Sequence, residues 1–187
     1  MVERSKAAVE QLREYNNSDG RGDVRALLSN VRAALMGTTD AGAKLDALMP
    51  EMQAACKKNL DYYLDLLRLS SEDRPIGITL QDLMIRLDVG MRGATTYGVP
   101  GMEQVQAQIK DLAKKAWQLD VDYMVERLEG CLRGEGDPIY WSQQVWGGES
   151  ILSPARYYGV DTATLESLIR QVSVKKDEDD RRRYSRQ

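Results

Sequence analysis

Cys56-Lys57-Lys58-Asn59-Leu60-Asp61-Tyr62-Tyr63-Leu64-Asp65 is the run on which the fold turns. Cys56, Leu60, Tyr63 and, just beyond the run, Leu67 recur at intervals of four, three and four, which is one stripe of a 3.6-residue helix. The spacing predicts a helix from near Ala43 through Leu67, with Pro50 in its first turn or splitting it. The thiol at the head of the stripe leaves two readings open. Facing outward, it is an attachment point for a flat polar ligand; facing inward, it is a packing residue, because free cysteine behaves as a small hydrophobe.

The same periodicity extends in both directions. Val24, Leu27, Leu28, Val31 and Leu35 form one face ahead of the interruption at Gly37-Thr38-Thr39. After a turn-rich stretch, Ser70 to Gly77, Thr79 reads as an N-cap for a helix carrying Leu80, Leu83, Met84, Leu87 and Met91. Gly93 and Tyr97-Gly98-Val99-Pro100-Gly101 close it. A long helix follows through Val105, Ile109, Leu112, Ala116 and Leu119, with Gly130 as its expected C-cap. Residues 133–156 read as a break and an aromatic loop holding Tyr140, Trp141 and Trp146. A last helix, opened by Asp161 or Thr162, carries Leu165, Leu168, Ile169 and Val172.

No segment alternates with period 2 for long enough to make a sheet. The expected fold is therefore all-α with five to seven helices: a main domain over residues 1–133, an aromatic-rich extension over 134–174 that ends in a helix, and a frayed charged tail over 175–187. Thr96-Tyr97-Gly98-Val99 has a weak echo in Tyr157-Tyr158-Gly159-Val160, each placed ahead of a helix.

Composition narrows function. The 187-residue chain has no histidine, which removes Ser-His-Asp, Cys-His and His-metal chemistry within the chain itself. Two cysteines without a Cys-x-x-Cys pair make neither a disulfide framework nor a zinc site. A net charge of −3 offers no basic surplus for nucleic acid. The charged start, MVERSKAAVEQLREY, and the lack of a long apolar run predict an intracellular protein with free thiols and no membrane insertion. Arg21-Gly22-Asp23 reads as a helix start, and Asp177 to Arg183 as a solvated charge run. No catalytic signature emerges, so a non-enzymatic protein is expected.

On the helix, Asn59 and Tyr63 lie beside Cys56, with Lys58 and Tyr62 on the neighbouring ridge. The basic pair is expected to lower the thiol pKa and favour the thiolate. The run Cys56 to Leu64 resembles the chromophore helix of phycobiliproteins, Cys-x-Arg-Asp-x-x-Tyr-Tyr-Leu, and Tyr97-Gly98-Val99-Pro100 with Met102 resembles that family's Gly-Val-Pro corner. The resemblance implies a globin-like helical subunit of a light-harvesting antenna, cytoplasmic or stromal. It also implies a linear tetrapyrrole (bilin) held as a thioether at Cys56, with Lys58, Asn59, Tyr62 and Tyr63 around it. Asn59 stands where the family has an aspartate, and Lys58 where it has an arginine. The alternative expectation is a cofactor-free helical adaptor of a larger homo- or hetero-oligomeric assembly, docking through Tyr140, Trp141 and Trp146.

Overall fold

The structure, a computed structural model, describes residues 2–73 and 79–184. The second half of the expected 70–77 turn and the end of the charged tail lie outside the described residues. The fold is all-α, as the periodicity requires. Among the described residues there are seven α-helices and one 3₁₀ turn: α1 (Val2–Asn17), α2 (Val24–Met36), α3 (Ala41–Ser70), α4 (Leu80–Thr96), α5 (Met102–Arg133), the 3₁₀ turn Pro138–Tyr140, α6 (Trp141–Tyr157) and α7 (Ala163–Tyr184). They form two compact units, one of residues 1–68 and 77–109, the other of 69–76 and 110–187. The division falls inside α5, whereas the sequence reading places its boundary after residue 133.

In the first unit α2, α3 and α4 bury most of their expected stripes, Cys56, Leu60, Tyr63 and Leu67 among them on α3. Val24, Leu28, Val31 and Leu35 of α2 are buried, as are Leu80, Leu83 and Leu87 of α4. Asp23 caps α2 by accepting the Ala26 N–H at 3.0 Å, so the Arg-Gly-Asp tripeptide is the helix start it resembles. Thr79 caps α4 by accepting the Asp82 N–H at 3.1 Å. Pro50 neither opens nor splits α3, which runs through it for 30 residues.

Helix ends follow one recipe in three places. After α4, Gly98 takes φ +68° and the Val99 N–H donates back to the Ala94 carbonyl at 2.9 Å. After α6, Gly159 takes φ +76° and the Val160 N–H donates to the Ala155 carbonyl at 3.0 Å. After α5, Gly134 takes φ +86° and the Glu135 N–H donates to the Gly130 carbonyl at 2.9 Å. Each is a glycine stop in the left-handed region with a six-to-one hydrogen bond. The Tyr-Gly-Val echo is thus a shared helix stop. Gly130, expected as the cap of α5, is the donor's target one turn earlier.

The second unit departs most from expectation. Residues 141–157 form a helix where the sequence reads as a loop, and α7 continues to Tyr184 where a frayed tail is expected from Lys175. Both have tertiary causes. Gly148 lets α6 approach α7 closely, since a Cβ there would lie 3.1 Å from Ile169 Cδ1. Lys175 donates from Nζ to the carbonyls of Cys131 (3.2 Å) and Leu132 (2.5 Å), bringing a cation to the negative end of α5. Lys176 pairs with Asp180 at 2.9 Å along the same helix.

Candidate functional site

The run that opened the argument lies in the first unit on α3, and its chemistry is turned inward. Cys56 is 0 % exposed. Its sulfur faces α4 where that helix carries glycine: a Cβ on Gly93 would lie 3.9 Å from Sγ. Burial pushes the thiol up to about 11, so it is protonated at neutral pH. The expected lowering by the basic pair does not occur, because both lysines are engaged elsewhere. Lys57 pairs with Asp61 at 2.7 Å on the outer face, and Lys58 Nζ donates to the Asn16 carbonyl at 2.9 Å. Lys58 thereby supplies a cation to the last turn of α1, which has no basic residue of its own.

Asn59 is buried, and its Nδ2 donates to Tyr15 Oη (2.9 Å), the Gly20 carbonyl (2.9 Å) and the Gly22 carbonyl (3.1 Å). Tyr15 Oη in turn donates to the Gly20 carbonyl at 2.6 Å, and desolvation raises its phenol to about 12. The amide therefore secures the α1–α2 connection. Gly20 sits so close to α3 that a Cβ would lie 2.6 Å from the Lys58 carbonyl oxygen. Tyr63 is also buried; its hydroxyl accepts from Arg86 Nη1 at 3.2 Å, and Tyr62 meets its ring edge-on at 5.0 Å.

The structure thus brings Cys56, Asn59 and Tyr63 onto one face, as the spacing predicts, but that face is packed. Tyr15, Gly20 and Gly22, which complete the network, escape the sequence reading. Their signal was the Gly-x-Gly spacing in the connection, where Gly20 and Gly22 both take positive φ.

The expected docking residues separate. Tyr140 is 56 % exposed and Trp146 72 %, joined by Ile139 at 64 %, whereas Trp141 is only 4 % exposed and belongs to the interior of the second unit. Lys175 Nζ lies 5.0 Å from the centre of its ring, a cation–π contact, while the Trp141 indole nitrogen has no hydrogen-bond partner among the described residues. A buried donor left unsatisfied costs roughly 1–3 kcal/mol.

Among the described residues no cluster of three acidic or sulfur-bearing side chains is placed to hold a metal ion, and no helix is long and apolar enough to cross a membrane. No family model, no curated protein and no solved structure matches the chain. The likeness of residues 56–64 and 97–102 to phycobiliproteins therefore stands on those residues alone.

Proposed function

We propose that the chain is a non-enzymatic, cofactor-free helical subunit of a larger protein assembly, docking through Ile139, Tyr140 and Trp146. The observation that carries this reading is their joint exposure, three large apolar or aromatic side chains within eight residues of the second unit. Tryptophan and tyrosine are the side chains most often found as interface anchors, and a buried aromatic removes some 150–250 Å² from water. The interior position of Cys56 supports the cofactor-free half. A thioether-linked bilin there requires α3 and α4 to part at the Cys56–Gly93 approach, and requires Asn59 and Lys58 to leave the backbone oxygens they hold.

A photo-crosslinking residue placed at position 139 or 146, in the cell of origin, tests the docking surface. Crosslinks to one partner that disappear when Tyr140→Ser is added support it. Equal labelling from exposed Ile85 in the first unit sinks it. Trp141→Ala is unsuitable as a docking test, because it empties an interior position. The bilin-carrying subunit implied by the family resemblance makes the opposite prediction at Cys56. Co-production with bilin synthesis and attachment enzymes should yield a colourless protein. Visible absorbance that survives denaturation and is lost in Cys56→Ala overturns the cofactor-free reading.

A further inference from the structure

The second unit contains a cavity of about 540 Å³ between the C-terminal half of α5, the loop after it and the start of α6. That volume lies within the range of small-molecule sites. Aromatic side chains from three elements line it: Tyr123 of α5, Tyr140 of the 3₁₀ turn and Trp141 of α6.

Most of the charge on its wall is already spoken for. Arg133 and Glu135 pair with each other at 2.7 Å, and the Asp137 carboxylate accepts the Ile139 N–H at 3.0 Å. Glu126 acts electrostatically on Arg133, which leaves Arg127. Arg127 lies 5.8 Å over the Tyr123 ring, is tied only by a long 3.4 Å hydrogen bond to Gln144, and has no carboxylate partner among the described residues. A guanidinium beside ring faces matches a ligand that stacks while presenting a carboxylate, since the planar fork takes both oxygens. The Trp141 indole nitrogen has no hydrogen-bond partner among the described residues and is itself shut off from solvent, so what Trp141 gives the wall is its ring.

We infer that this cavity binds a small planar aromatic acid, with Arg127 as the carboxylate partner and Tyr123 and Tyr140 as stacking faces. Of the three proposed docking anchors Tyr140 also lines this cavity, whereas Ile139 and Trp146 do not, so the site overlaps the proposed docking surface at Tyr140.

Calorimetric titration with 2-naphthoate tests it, with 2-naphthalenemethanol and 2-naphthylmethylammonium as neutral and cationic probes of the same shape. The acid should bind saturably at one site per chain, at least about tenfold more tightly than the alcohol. Arg127→Gln should weaken the acid about tenfold, while Glu126→Gln should strengthen it a few-fold by removing a carboxylate from the same wall. Both positions are exposed, and circular dichroism verifies that the variants stay folded. Absence of saturable binding overturns the proposal. So does equal affinity for acid and alcohol, an unchanged affinity in Arg127→Gln, or tighter binding of the ammonium probe.

Discussion

An ionised carboxylate can only accept hydrogen bonds, whereas Asn59 is required to donate, because three oxygens face its Nδ2. Asn59→Asp, which restores the residue of the phycobiliprotein pattern, should therefore destabilise the fold by about 3 kcal/mol at pH 7. Facing two carbonyl oxygens raises the new carboxyl's pKa in the folded state, so part of the loss should return as the pH falls and the group protonates. Urea denaturation at pH 7 and pH 5 reads this; equal stability of variant and parent at pH 7 overturns the assignment. Cys56 gives a complementary prediction at the alkaline end. Its folded pKa of about 11 lies above the ordinary 9.0, so the stabilisation is complete below pH 9 and is lost as pH rises toward 11. Two units correspond to roughly 2–3 kcal/mol. Cys56→Ala should flatten that part of the stability–pH curve, and the native thiol should react with a disulfide reagent only on unfolding. The stripe of Cys56, Leu60 and Tyr63 was legible because period 3.6 is a local property. Which side of it met α4 was not, because that depends on Gly90 and Gly93 thirty-odd residues later.

Among the helices, the stops were more legible than the start of α6. Gly98 and Gly159 occupy equivalent positions with φ +68° and +76°, and nothing crowds a Cβ at either: the nearest atom to one at Gly98 is 3.8 Å away, and none lies within 4 Å at Gly159. Gly98→Ala and Gly159→Ala should each cost about 1 kcal/mol, from backbone conformation alone. Thermal melts that leave either variant unchanged would remove the glycine-stop account. Lys175→Met keeps the length of the side chain and deletes its charge, so it should destabilise the second unit by about 1–2 kcal/mol through the end of α5 and the face of Trp141. Hydrogen exchange at the last turn of α5 is the measurement, with faster exchange expected. α6 escaped the sequence reading because its Gly147-Gly148 pair and Pro154 are helix breakers by local propensity. Packing decides otherwise, with the α7 side chains of Leu165 and Ile169 seated against Gly148.

At the scale of the molecule, the missing histidine becomes a property of the stability curve. No side chain has an ordinary pKa between 6 and 8, so unfolding free energy should stay flat within about 0.5 kcal/mol across that interval. The acid side should fall as Glu135 and Glu166 protonate. Arg133 and Arg156 respectively hold these carboxyls below 4.5, so their stabilisation is present above that value and is lost below it. The alkaline side should fall through Cys56 and Tyr15 from about pH 9 upward. A sloping region between pH 6 and 8 in denaturant midpoints would contradict this. The all-α class was legible from period alone, whereas the two-unit division inside α5 was not, because the helix crosses it without a break. The reach of Lys175 also bears on how the chain is made. Synthesis runs from the amino end, and 44 residues separate Cys131 from the lysine that donates to its carbonyl. Until that stretch has been translated, the final turn of α5 lacks this donor. The second unit therefore gains this contact from its far end, and a ribosome paused near residue 171 would hold an α5 that has its glycine stop and not yet its lysine.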